Sequence, residues 1–121
     1  MTKDLITRLN EGPVLCAEGY LFAMERRGYL QAGAFVPEVV LEHPEVLSQL
    51  HREFIRSGSD VIQAFTYYGH REKLRIIGKE NLLEPLQKNA LQIAKDSREE
   101  FKDLDLMVCG DVANTNIYNP T

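Results

Sequence analysis

Asp-Val-Ile-Gln-Ala-Phe-Thr, residues 60–66, is a short apolar run that begins two residues after Gly58, and it decides how this chain folds. A run of this length beside a turn residue is typical of a buried β-strand. Val14–Ala17 and Leu106–Gly110 have the same character. Strands that are apolar on both faces belong to parallel sheets covered by helices, so we predict three parallel strands.

Apolar residues at helical spacing fill the intervals between these runs. Asn81 and Glu84 have the spacing of a capping box, which predicts a helix start at this point. Between the strands we therefore predict a short helix at 20–27, a helix from Pro37 or Pro44 to Ser57, a charged loop at 67–80 and a helix that reaches about Phe101.

Alternating strands and helices of this length indicate right-handed crossovers and a parallel sheet, hence the α/β class. The pattern alone does not separate a (β/α)8 barrel from an open doubly wound sheet. A barrel has eight β/α units and about 250 residues, whereas this chain has 121 residues and three predicted strands. We predict one domain over 1–121 with no internal boundary and, if the fold is a barrel, an incomplete one of three units.

The composition excludes several classes of function. The formal net charge is −4, so no basic stripe is available to neutralise nucleic-acid phosphates. No apolar run approaches the roughly 18 residues that a membrane span needs. Two cysteines fit a reducing compartment. We therefore expect a cytoplasmic protein that binds neither nucleic acid nor membrane.

Ligands of parallel α/β folds bind where the strands end. Glu18 follows the first predicted strand, and Tyr67 and Tyr68 follow the second. Asp111 and Asn114 follow the third. Clustered aromatic rings with acids nearby suit a quaternary ammonium ligand. The alternatives are that Glu18 is a solvated loop acid and that the rings pack beneath loops.

Cysteine and histidine spacing gives no metal or catalytic site within the chain. Cys16 and Cys109 lie in predicted strands without a second ligand at a metal-binding spacing. His43, His51 and His70 have no nucleophile partner in the sequence pattern, so we assign them to structure or surface. No catalytic residue and no metal ligand is predicted.

Dense stretches of the chain resemble the betaine–homocysteine S-methyltransferases. The similarity covers about residues 14–74 and is weaker beyond them. The stretches that carry it are FAMERRGY at 22–29, AG at 32–33, PE at 37–38, EHPE at 42–45, QLHREFIRSGS at 49–59 and DVIQAFTYY at 60–68. Collinear matches over some sixty residues are more specific than any single motif.

The resemblance implies a zinc-dependent TIM barrel that transfers a methyl group from betaine, or a related methylated onium donor, to homocysteine and so forms methionine. Tyr68 matches a donor-site tyrosine of the family. Phe35 falls where family members can carry a tryptophan that closes on the donor, and Tyr67 leaves the second strand together with Tyr68. At the first turn the family usually reads Gly-Asp-Gly-Gly with the aspartate contacting homocysteine, whereas Ala17 stands at the aspartate position here. We expect Glu18, followed by Gly19, to supply the carboxylate instead.

The family's zinc-binding cysteines lie in later strands, including a Gly-Gly-Cys-Cys run that this sequence lacks. The resemblance thus implies a larger zinc enzyme to which this chain contributes the N-terminal part. Exposed edges and faces would favour a homo-oligomer. Two alternatives are a non-catalytic onium-binding module and a small doubly wound protein that shares a segment with the family.

Overall fold

The computed structural model describes residues 3–31, 38–115 and 117–121. Helices and strands alternate from residue 44 onward, which confirms the α/β class. In chain order the elements are α1 (Leu5–Glu11), α2 (Tyr20–Arg26), α3 (Val39–Glu42), α4 (Pro44–Arg56), β1 (Val61–Gln63), α5 (Arg71–Ile76), a 3-10 turn (Glu80–Leu82), α6 (Leu83–Glu99) and β2 (Met107–Cys109).

β1 lies in the middle of the sheet. It pairs in parallel with β2, with Gln63 opposite Cys109. On its other edge Val61 forms a parallel bridge with Cys16, and the Ala17 N–H donates to the Val61 carbonyl at 2.8 Å. The predicted first strand is thus reduced to one bridge within the described residues, and the count of three β/α units is not confirmed.

The helices cover one face of this sheet. Ile62 of β1 and the following Ala64 are fully buried there, in one core cluster with Leu50 of α4 and Leu86 of α6. Successive residues of a strand point to opposite faces, so Gln63 points away from the helices. The side chains of the opposite face are therefore available to line a site.

The helix ends follow ordinary rules of capping. α4 begins with Pro44 in its first turn, where the missing N–H is not needed. α2 ends at Arg26 and is followed by Gly28 at φ +83°, the left-handed conformation that glycine adopts most readily. Both boundaries agree with the predictions within one residue, apart from the alternative start at Pro37.

Two local predictions are wrong. The segment predicted as a charged loop contains α5, which begins after His70, whose Nδ1 accepts from the Lys73 N–H at 3.4 Å. The predicted capping box at Asn81 and Glu84 does not form, because α6 continues from the 3-10 turn. Leu82 already has helical backbone there and makes no side-chain cap, whereas a capping residue needs extended backbone.

Among the residues that the structure describes, no helix is both long and apolar enough to cross a membrane.

Candidate functional site

A cavity of about 360 Å³ opens where the strands end. Its floor is formed by the residues that leave β1, and its walls come from the segments after Cys16 and after β2. The described residues that line it are Glu18, Gly19, Tyr20, Leu21, Phe22, Gln63, Ala64, Phe65, Thr66, Tyr67 and Asp111. Three of the five site residues predicted from the sequence, Glu18, Gly19 and Tyr67, thus come together.

The turn after Cys16 separates two neighbouring side chains. Ala17 is buried in the helix-side core at 3% exposure, whereas Glu18 is exposed and borders the cavity. Gly19 then adopts φ +84°, where residues other than glycine are strained, and is the N-cap residue of α2. The backbone therefore directs a carboxylate at 18, rather than one at 17, toward the cavity.

Asp111 and Gln63 complete the polar part of the lining. Asp111 follows β2 by two residues, so it lies on the same face as Cys109 and Gln63. The sequence places Asp111 after the third predicted strand but gives it no role. Gln63 was not predicted, although its alternation with the buried Ile62 could have identified it.

Tyr67 and Tyr68 occupy the centre of a tight turn. The Gly69 N–H donates to the Thr66 carbonyl at 2.7 Å, which closes the turn. Tyr68 has φ +60°, as the third residue of a type II turn requires, although glycine is usual there. Gln87 of α6 holds the turn through Nε2, which donates to the Gly69 carbonyl at 2.6 Å.

The two rings of this turn stack, with centroids 4.1 Å apart and planes 25° apart. A side-chain hydrogen bond with Tyr68 raises the pKa of the Tyr67 phenol, burial adds to the rise, and the charge of Asp111 contributes less. Tyr67 lines the cavity, whereas Tyr68 is half-buried and is not among the described residues that line it. The predicted pair is therefore present as a stack that faces the cavity through Tyr67.

A third tyrosine, Tyr20, borders the cavity but is buried. The Tyr20 hydroxyl accepts from the Gln63 N–H at 3.3 Å and lies 2.9 Å from Nδ1 of His51. Burial raises the pKa of Tyr20 and lowers that of His51 to about 4, so both groups are neutral at pH 7. A neutral His51 that accepts at Nδ1 carries its proton on Nε2, a buried atom without a hydrogen-bond partner in the described structure.

The cysteines do not form a metal centre. Cys16 is exposed and Cys109 is half-buried, and burial raises the pKa of the Cys109 thiol, with Cys16 as the second cause. A raised pKa opposes the thiolate form that binds metals. Among the described residues, no three His, Cys, Asp or Glu side chains lie together in a way that could hold a metal ion.

One predicted site residue, Phe35, lies outside the described residues. His70, assigned to structure or surface, caps α5 through Nδ1, and its Nε2 lies 3.1 Å from the Asn114 carbonyl oxygen. It thereby links the tyrosine turn to the segment after β2.

The family model described as Homocysteine S-methyltransferase matches residues 19–120. The chain belongs to the homocysteine S-methyltransferase family. The sequence had indicated this family from stretches concentrated before residue 74, and the match extends through β2.

The chain is similar to curated proteins named betaine–homocysteine S-methyltransferase 1. Betaine–homocysteine S-methyltransferase 1 of Danio rerio is 42% identical over 118 residues, and the protein of that name from Pongo abelii is 40% identical over 118 residues. Each alignment covers 96% of this chain but 29% of the relative. The protein of that name from Sus scrofa is 39% identical over 121 residues, 42% of its length. The chain thus spans less than half of these relatives.

A solved structure of the family shares the fold. The crystal structure of the homocysteine methyltransferase MmuM from Escherichia coli, in its metallated form, superposes with a TM-score of 0.77 at 22% identity. The match covers 93% of this chain and 42% of that one. The α/β fold of the chain therefore corresponds to part of the homocysteine methyltransferase fold.

Proposed function

We propose that the chain supplies the N-terminal part of the substrate site of a betaine–homocysteine-type S-methyltransferase. Such an enzyme transfers a methyl group from betaine, or a related methylated onium donor, to homocysteine and forms methionine. The observation that carries the proposal is the stacked tyrosine pair beside two carboxylates at one end of the sheet, in a chain of this family.

The reaction needs two charged groups to be brought into line. The homocysteine sulfur, as a thiolate, attacks a methyl carbon of the cationic donor. The bond from that carbon to nitrogen breaks. Nitrogen keeps the electron pair, and the donor leaves as a neutral tertiary amine. Because no proton moves in this step, the protein contributes mainly by positioning the donor and acceptor.

Each side chain has a role that fits its chemistry. The faces of Tyr67 and Tyr68 would hold the onium group through cation–π attraction. Glu18 would accept hydrogen bonds from the ammonium group of homocysteine, and Asp111 adds a second acceptor in the same cavity. Gly19 keeps the turn open next to Glu18. Phe35 remains a predicted donor-site ring.

Zinc enters only as an implication of the family. If bound in the whole enzyme, it would lower the pKa of the homocysteine thiol and so supply the thiolate. The described residues of this chain do not fit a zinc site, because no cluster of three ligands is present among them. The roles given to Glu18, Tyr67 and Tyr68 do not depend on the metal.

A second candidate is an onium-binding module without catalysis. The aromatic pair and the carboxylates lie within the described residues. No group of metal-ligating side chains is found among those residues. A module of this kind would bind betaine but would not support methyl transfer in any context. Homo-oligomerisation and a cytoplasmic location stay predictions under both candidates.

A chimaera tests the proposal. The 121 residues replace the matching segment of the Danio rerio relative, and formation of labelled methionine from methyl-deuterated betaine and homocysteine is measured by mass spectrometry. We expect methyl transfer that falls at least tenfold when Tyr67 and Tyr68 are both changed to leucine. A folded chimaera that binds betaine without forming methionine would favour the binding module and overturn the proposed reaction.

A further inference from the structure

Lys73 lies over the ring of Tyr68. Its Nζ is 4.2 Å from the ring centroid. Lys73 belongs to the first turn of α5, where its own N–H is capped by His70. The helix start therefore places this lysine above the tyrosine turn.

The two faces of the Tyr68 ring are both covered. Tyr67 stacks against one face, with the centroids 4.1 Å apart. Two groups at about 4 Å from one centroid would collide if they shared a face, so the Lys73 ammonium covers the other one. The face that an onium ligand would use on Tyr68 is thus already occupied by a cation.

Nothing else in the described structure holds this ammonium by charge. The neighbouring Glu72 pairs with Arg75, with Nε and Oε2 3.0 Å apart. Within the described ranges, no carboxylate lies at ion-pair distance from Lys73 Nζ, and the Tyr68 ring is its cation–π partner. An ammonium held only by a partly exposed ring can be displaced by a small change of side-chain rotamer.

We propose that Lys73 is a resident cation that competes with the methyl donor for the face of Tyr68 and thereby sets the affinity for onium ligands. The proposal rests on the proposed function, since it assumes that this turn receives an onium group. A methylated onium and a protonated lysine use the same attraction to the ring. They also repel each other, so binding of one requires the other to leave.

The strained turn supports this assignment. Tyr68 holds φ +60°, a backbone conformation that disfavours a tyrosine. In this turn the Tyr68 ring stacks on Tyr67 and lies beneath the Lys73 ammonium. Strain of this kind is a feature of ligand clamps and switches.

Titration with tetramethylammonium chloride tests the proposal, with potassium chloride at equal ionic strength as the reference. The 121-residue chain and its Lys73→Met variant are compared by the NMR shifts of the Tyr68 ring protons. Because an exposed cation–π contact is worth about 0.5–1 kcal/mol, we expect Kd to fall about two- to fivefold in Lys73→Met. In the wild-type chain the Lys73 ε-methylene protons should move downfield as the ligand displaces them from the ring.

Lys88→Met provides the matched control. Lys88 is an exposed lysine of α6 that pairs with Glu84, so the same chemical change there should leave Kd unaltered. An unchanged or higher Kd in Lys73→Met would overturn the proposal. Absence of saturable binding to Lys73→Met would overturn it as well, because the uncovered ring would then not be an onium site.

Titration of the same proteins with betaine, which carries a carboxylate, is the second test of the proposal. We expect Lys73→Met to tighten betaine binding as it tightens tetramethylammonium binding. Weaker betaine binding would overturn the proposal, since Lys73 would then hold the donor's carboxylate instead of opposing the donor. The titrations involve no homocysteine and no turnover, so failure of methyl transfer in the chimaera and failure of this competition are separate results.

Discussion

Two tyrosine clusters lie at the same end of the sheet and are built in opposite ways. Tyr20 is 3% exposed, and its hydroxyl contacts both His51 and the backbone of β1. Tyr67 and Tyr68 are half-buried, and their rings are held by stacking and by Lys73. Residue type alone therefore does not distinguish a buried, hydrogen-bonded tyrosine from the tyrosines that we propose to bind ligand. The hydrogen-bond partners of the hydroxyl and the burial of the ring make that distinction.

The two clusters should also contribute differently to the free energy of unfolding. Loss of a buried, hydrogen-bonded ring removes packing and leaves polar groups without partners. Loss of a partly exposed ring removes much less. The buried Tyr20 cluster should therefore control the free energy of unfolding, and the half-buried pair of Tyr67 and Tyr68 should control ligand affinity.

His51→Ala should give the largest loss of stability. His51 is fully buried, and its removal leaves a cavity and takes a partner from the Tyr20 hydroxyl. We expect the free energy of unfolding to fall by about 3–4 kcal/mol, measured by urea denaturation. Tyr68→Ala is the comparison variant from the half-buried pair. A loss as large in Tyr68→Ala would break the distinction between the clusters.

Acid should destabilise the protein through the same histidine. Burial lowers the pKa of His51 to about 4, against about 6.5 in an unfolded chain. The unfolded state therefore binds more protons than the folded state between these two pH values. The contribution of neutral His51 to the free energy of unfolding is fully present above pH 6.5 and is lost as the pH falls through 4. The loss amounts to about 3 kcal/mol.

His51→Gln isolates this effect, because other carboxyl groups titrate in the same range. Urea unfolding at pH 7 and pH 4 should show a smaller acid-induced loss in His51→Gln than in the wild-type chain. Equal losses in the two proteins would mean that folding does not lower the pKa of His51.

Tyr20→Phe separates the contribution of the hydroxyl from that of the ring, because it removes the hydroxyl and keeps the ring. The edge contact with Phe54, at a centroid distance of 4.8 Å, should survive. The Gln63 N–H and His51 Nδ1 lose their shared partner. We expect a loss of about 1–2 kcal/mol by urea denaturation. A change near zero would indicate that water replaces the hydroxyl.

Tyr68→Leu should have the smallest effect on stability. The ring is partly exposed, so we expect a change below about 1 kcal/mol. Betaine binding measured by calorimetry should nevertheless weaken at least fivefold, since one of the two rings that we propose to hold the onium group is gone. Unchanged betaine affinity would place the donor elsewhere.

Much of the fold could be predicted from the chain. The apolar run at 60–66 contains β1, and Gly58 correctly marks the end of α4. α5 was missed because its side chains are mostly charged and only Leu74 is buried, so apolar periodicity gives little signal. The capping box failed because its spacing does not reveal a preceding 3-10 turn.

The site was predictable in part, for a physical reason. Positions next to strand ends identify Glu18 and Tyr67, because parallel strands end at one edge. The orientation of Tyr68 depends on a positive φ that two consecutive tyrosines do not predict. The place of Lys73 depends in turn on that ring and on α5, and neither was predicted.

The most direct test of the account is a residue-by-residue NMR titration of the chain with betaine and, separately, with homocysteine. Betaine should shift the ring signals of Tyr67 and Tyr68, and homocysteine should shift Glu18 and Asp111, with little change at the buried Tyr20 ring. Shifts centred elsewhere, or no saturable shift with either ligand, would contradict the claim that this end of the sheet carries the substrate site.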